Sequence, residues 1–318
     1  MNWNKNGGYG REQVATLNAS ANRTNGGLTF GRTLYVMKSG TNHPYFDRMQ
    51  ELLPPDPDGE VRVFTTITAG IAALENYDTL LIGPGNYDEA AKISLDNLKG
   101  VKIIGSNTGM QWGEGATNWR NVTSGTDLLD IAGCQGIEIA GIGFVVTSAD
   151  EDAINFDGLN YSVHIHDCCF VGDVGGGAVM AYGINADGSN GPDLYVHDCR
   201  FLRVKTAGII MGNQRNVIAN NVFVVPNSGH GINVPGAAAT SYNVIINNHM
   251  LGGGTSDVGI YAAASAAGAF MAANNYFVNF ADNKGIAAGA NSDENCVFNF
   301  EADYGTGGGV YNQVDPEN

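Results

Sequence analysis

Charge is scarce in this sequence, and positive charge is scarcer still. Charged residues make up 15% of the 318, and 16 bases face 32 acids for a formal net charge of -16. No basic stripe exists to follow a phosphate backbone, so nucleic acid is not an expected partner. The same balance repels an anionic polysaccharide unless a metal ion or a local Arg/Lys patch intervenes. Calcium binding by surface acids stays chemically allowed. Cysteine is sparse and odd in number: Cys134, Cys168, Cys169, Cys199 and Cys296, with no CxxC spacing. No apolar run approaches a membrane span. The opening MNWNKNGGYGREQ lacks an apolar signal core, so export by a standard signal peptide is not expected. HExxH, GxSxG and a phosphate-binding glycine loop are missing as well.

What is present is glycine, 45 residues of it, together with abundant asparagine. The glycines keep no three-residue period, which excludes a collagen-like chain, and 43% hydrophobic residues supply a core. A loose repeat returns about every 22 to 31 residues. It reads HDCCF at His166 to Phe170, HDCRF at His197 to Phe201 and NNVF at Asn220 to Phe223. It continues as NNHM at Asn247 to Met250 and NNYF at Asn274 to Phe277. One short strand-bearing unit stacked on itself predicts a solenoid of β-strands. Phe144 to Phe277 spans 133 residues in five steps, about 27 per coil. At about 4.8 Å per coil, nine or ten coils make a rod of about 45 Å.

The columns of this repeat separate inside from outside. Five residues before the aromatic column stand Ile165, Val196, Ile218, Ile245 and Ala272, an inward aliphatic ladder. Two residues before it stand Cys168, Cys199, Asn221, Asn248 and Asn275. Asparagines at one bend can hydrogen-bond from coil to coil. The two cysteines replace that ladder at its start and read as buried thiols rather than a disulfide. Gly-Ile pairs at 183–184, 208–209, 231–232, 259–260 and 285–286 read as sharp corners followed by an inward isoleucine. Outward, His164 aligns with Tyr195, His166 with His197 and Asp167 with Asp198. These columns offer a sugar-facing surface, a metal site or an outer sheet paired from coil to coil. His-x-His without a third ligand favours the last, and neither metal nor other cofactor is expected.

The N-terminal third is less regular. Residues 1–31 are polar, either an arm ordered by a partner or a disordered terminus. Arg32 to Gly40 reads as a first strand, and LPPDPDGE, ending at Glu60, as loop. Phe64, Ile67, Ile71 and Leu74 have helical spacing, with Thr66 or Thr68 near the start. A helix near residues 64–76 is predicted to lie as a lid on the open solenoid end. Residues 32–305 then form one domain and 306–318 a tail. Asn107 to Gly125, with Trp112 and Trp119, reads as a side loop or a protein interface, and Trp3, in the arm, adds to a docking bias at this end.

The segment Phe64 to Tyr87, with its helix and DTLLIGPGNY, resembles the opening of right-handed parallel β-helices of the pectin-lyase-like superfamily. The stacked coils with Asn at a bend extend the likeness over about residues 60–300. The resemblance implies an all-β right-handed parallel β-helix with an N-terminal capping helix. It also implies a choice among polysaccharide lyases and hydrolases, carbohydrate esterases, and phage tail or capsid proteins. Hydrolases of this kind use paired carboxylates on the outer face, and Asp150, Glu151, Asp152 and Asp157 are the densest set here. Asp127 and Asp130 lie about one coil earlier. Ser148 to Ala153 also reads as a solvated loop. Lyases of this kind join calcium-binding acids to a basic residue, for which Arg203 and Lys205, beside Arg200, are the candidates; pairing with Asp198 and other surface acids is the favoured role. The pectinesterase pattern is not recognisable.

These features predict a non-enzymatic structural or attachment protein of a phage virion, as a spike, fibre segment or capsid decoration. Its expected partners are other virion proteins, through the N-terminal arm, and a host surface glycan; a homo-oligomer, a trimer, is carried by the resemblance. The alternative is a polysaccharide depolymerase using Asp150, Asp152 or Asp157. Glycan binding without cleavage is a third reading.

Overall fold

A computed structural model describes residues 31–39, 45–55, 59–107, 115–121, 125–147, 150–172, 179–187, 193–211, 215–234, 243–253, 257–262, 270–280, 286–288 and 297–299. The expected arm, tail, Trp3, Trp112 and Cys296 lie outside these residues. The described chain winds through three parallel sheets of eleven, eight and eight strands. One coil runs Thr79–Ile82 in the first sheet, Gly85–Glu89 in the second and Ile93–Asp96 in the third; Lys102–Ile104 then begins the next coil beside Thr79–Ile82. Every pairing between coils is parallel, so a residue lies over its counterpart one turn away.

The predicted aromatic column is present and longer than the repeat suggested. Phe144, Phe170, Phe201, Phe223, Met250 and Phe277 stand in register. Trp119 and Tyr87 continue it toward the N-terminus. Phe170, Phe201 and Phe223 stack with centroids 4.6 and 4.7 Å apart. The aliphatic ladder Ile165, Val196, Ile218, Ile245 and Ala272 is likewise in register and buried. Trp119 corrects the expectation of a side loop. Thr117–Asn121 is a strand, and its indole is fully buried on Phe144 at 5.6 Å. The neighbouring sequence hides this because Trp replaces Phe and no HD or NN pair precedes it.

The glycine reading also needs correction. Gly183, Gly208 and Gly231 lie within third-sheet strands, not at corners. A Cβ at Gly208 would fall 2.7 Å from the Gly231 carbonyl oxygen and 2.8 Å from the Phe223 ring. Glycine is required there because the aromatic column needs the space, while Ile184, Ile209, Ile232 and Ile260 point inward as expected. The corners fall instead at Asp167, Asp198, Asn220, Asn247 and Asn274, with φ between 52° and 56°. Asp and Asn tolerate this left-handed conformation better than other side chains with a Cβ.

Two helices occupy the N-terminal end. Helix α1, Tyr45–Leu52, was not foreseen within the stretch before the proline-rich loop. Helix α2, Ile67–Ala72, is the predicted lid, capped by the Thr66 side chain, which accepts from the Ala69 N–H. Thr68 is not the cap; its hydroxyl donates to Glu89 at 2.5 Å. Ile67 and Ile71 are buried, and Gly70 lies against Val36 and Leu80 of the first two coils. Arg32 pins the far end by donating to the Ala73 carbonyl and to Asp78, both at 2.8 Å.

Candidate functional site

The expected carboxylates lie on the outer face of the third sheet, where coil stacking gathers them. Register places Ser94, Asp130, Asn155 and Asn185 in one outward column across four coils. Asp127 and Asp152 precede that column on two successive coils. The Asp127 carboxylate accepts the Asp152 backbone N–H at 2.8 Å. Asp152 is nearly buried, 7% exposed, and accepts from the Tyr182 N–H at 3.1 Å and the Asn185 amide at 2.7 Å.

Burial pushes the Asp152 carboxyl up to about 7, and the Asp127 and Glu151 charges add to the rise; the Asn185 amide and Tyr182 N–H oppose it. Burial, helped by Asp130, also raises Asp127, while the Asp152 N–H and Lys92 oppose it. Lys92 bonds Asp130 directly and senses Asp127 and Asp157 as further negative charges. The Asn155 amide donates to Asp130 at 3.3 Å.

Of the three residues singled out, only Asp152 sits in this half-buried network. Asp150 is exposed at a left-handed turn, φ 68°, and takes Lys205 at 2.5 Å from two coils on. Lys205 therefore pairs with a surface acid, as the sequence favoured, but the acid is Asp150 and not Asp198. Asp157 is exposed at the far end of the strand Ile154–Asp157. Lys92, Tyr182 and Asn185 were missed. Lys92 lies 35 positions before Asp127 and Asn185 lies 33 after Asp152, so only the pitch of the solenoid could have joined them.

A second polar cluster decorates the outer face of the first sheet. Tyr195 stacks on His164 at 4.9 Å, and His166 on His197 at 5.1 Å, the cross-coil pairing that was expected. His166 contacts Asp167 at 2.7 Å and Glu138 at 3.3 Å, and Glu138 also takes Lys102 at 2.5 Å. Burial lowers the His164 pKa, helped by His166 and His197. Among the described residues, no group of three or more His, Cys, Asp or Glu side chains is arranged to hold a metal ion, and no helix is long and apolar enough to cross a membrane.

The family model described as right handed beta helix region matches residues 182–313. No curated protein matches the chain. Among solved structures, pectate lyase Pel9A is 13% identical with a TM-score of 0.49, covering 87% of this chain and 77% of its own. The Streptococcus pneumoniae surface protein and adhesin PfbA is 12% identical, with a TM-score of 0.40 and coverage of 70% and 83%. ORF18 of Geobacillus virus E2 is 14% identical, with a TM-score of 0.35 and coverage of 74% and 57%. The stacked registers and the family match together make this chain a right-handed parallel β-helix.

Proposed function

We propose that this chain is a non-enzymatic structural or attachment element of a virion, a stiff β-helix that holds a surface at fixed spacing. One observation carries the reading: three of the outer carboxylates, Asp130, Asp150 and Asp152, are already engaged within the protein. Asp150 is bound to Lys205, Asp130 to Lys92, and Asp152 to Asn185 and the Tyr182 N–H. Two carboxylates poised across an open groove, which glycoside hydrolysis needs, are not what this network presents. The interior supports the same reading, since an unbroken core cluster running from Leu34 to Ala272 resists bending and local opening. Residues 1–31 dock the rod on other virion proteins, the assembly is a trimer, and an outer face meets a host surface glycan.

A specific observation favours a second reading, a polysaccharide depolymerase. The Asp152 carboxyl, raised to about 7 beside Asp127, has the proton affinity of a general acid. Incubating the purified chain with host surface polysaccharides separates the two. Attachment predicts retention of glycan on immobilised protein, and antibody labelling of purified virions, with no reducing ends and no unsaturated, ultraviolet-absorbing product. Product that disappears in Asp152→Asn establishes the enzyme instead.

A further inference from the structure

Sequence alignment of the coils put His164 beside Tyr195 and His166 beside His197. The fold adds a diagonal contact that this alignment does not contain. His164 Nε2 and His197 Nε2 approach to 2.6 Å across adjacent first-sheet strands. Two imidazole nitrogens aimed at one point need something between them, because two lone pairs repel. In the free protein that is one proton, carried by His164 Nε2 and accepted by His197 Nε2, whose own proton sits on Nδ1 toward Asp198.

We propose that His164 and His197 form a two-histidine site for a divalent transition ion of the zinc, copper or nickel class, with water completing the coordination. This departs from the expectation of no metal site, which rested on the lack of a third protein ligand. Imidazole nitrogen is a ligand of choice for these ions, and it discriminates against calcium, which requires oxygen.

Three features prepare the pair. The His197 Nδ1 lies 2.6 Å from Asp198 Oδ2. A proton held there leaves Nε2 with its lone pair free, and such carboxylate–histidine pairs orient and strengthen metal ligands. Both rings are held in place, His197 stacked on His166 and His164 on Tyr195, so little side-chain freedom is lost on binding. Glu138, Asp167 and Asp198 supply negative charge around the pair, with Lys102 turned to Glu138. Tetrahedral bonds of about 2.0–2.1 Å set two nitrogens about 3.3 Å apart. The rings therefore open by about 0.7 Å and tilt from their present head-on contact as the ion enters, and the shared proton passes through solvent to His164 Nδ1, so that both rings stay neutral.

The experiment is calorimetric titration of the full chain with zinc chloride, and with calcium chloride for comparison, alongside electron paramagnetic resonance of the copper-loaded chain. One zinc per chain is expected at this site, with no displacement by calcium. His164→Ala and His197→Ala each weaken it at least about tenfold, and Asp198→Asn, which leaves both ligands in place, weakens it by about 10- to 100-fold. The copper spectrum shows nitrogen hyperfine structure from two imidazoles and needs no variant, so it decides the matter even where a substitution disturbs folding. Absence of zinc heat, zinc binding unchanged in both histidine variants, or a copper spectrum with oxygen ligands alone overturns the proposal.

Discussion

Cys168 and Cys199 occupy the same column as Asn221, Asn248 and Asn275, yet the two halves of that column are built differently. In the asparagine half, each side-chain amide donates to an aliphatic-ladder carbonyl of the preceding coil: Val196 at 3.1 Å, Ile218 at 3.0 Å and Ile245 at 2.8 Å. The amides also link to one another, Asn221 to Asn248 and Asn248 to Asn275, both at 3.0 Å. In the cysteine half the equivalent carbonyls of Ile139 and Ile165 meet a thiol sulfur at 3.8 Å in place of the amide. The backbone does not register the change, since Asp167 and Asp198 turn with φ of 53° and 52° and Asn220, Asn247 and Asn274 with 53° to 56°. Corner geometry is therefore set by the left-handed residue, and the next inward position is free to be polar or apolar. All four described cysteines are buried and free, in keeping with the reading as packing thiols. At the seam the two chemistries meet, where the Cys199 N–H donates to Asn221 Oδ1 at 2.9 Å.

That comparison can be broken most severely where both halves lean on the same support. Phe201→Ala, between the last cysteine and the first asparagine, removes a ring stacked on both sides and should cost about 3–5 kcal/mol in chemical denaturation. A loss below about 1 kcal/mol would show that the aromatic column is not continuous. Asn248→Ala comes next. It strands the Asn221 N–H, which donates to Asn248 Oδ1 at 2.9 Å, at about 1–3 kcal/mol for a buried group left unpaired, and takes the side-chain bond from the Ile218 carbonyl. Cys199→Ala should cost only about 1 kcal/mol, because a weak thiol contact and little volume are lost. Equal losses in the last two variants would mean that the asparagine ladder adds nothing over packing.

A last expected effect concerns the outer face and is read through pH. Asp152 has a raised value, about 7, in the folded chain against about 3.9 when unfolded. The folded state therefore binds the extra proton, and stability from this group is full below about 3.9 and is lost as pH rises through about 7. Asp152→Asn, with the Asn185 amide turning to accept, should match the parent in acid. It should gain relative stability across that window and hold it above. Melting curves from pH 4 to pH 8 check this; parallel curves at every pH would show that Asp152 ionises normally.

Much of the solenoid was legible in one chain because stacking forces equivalent positions to repeat. The Phe, Asn and Gly-Ile columns each recur once per coil, and a β-helix has no other way to bury them. Legibility failed where the filler changed, as at Trp119, or where one signal had two causes, as at Gly208, whose glycine makes room for Phe223 rather than turning the chain. The candidate site was legible only as a cluster of acids. Asp152 could be picked from the sequence, but its partners Asn185 and Tyr182 sit a full turn away, at a distance set by loops of unequal length.

By itself, the sequence determined the class of fold, the inward ladders and the thiol and amide positions at the bend, because each is a demand on one residue repeated by every coil. Only the tertiary structure decided which outward side chains meet. Register brought His164 to His197 rather than to Tyr195 alone, turned Lys205 onto Asp150, and buried Asp152 while leaving Asp150 and Asp157 in water. Those outcomes depend on the offset between successive turns and on how far each long side chain reaches along the rod, quantities that no single coil contains.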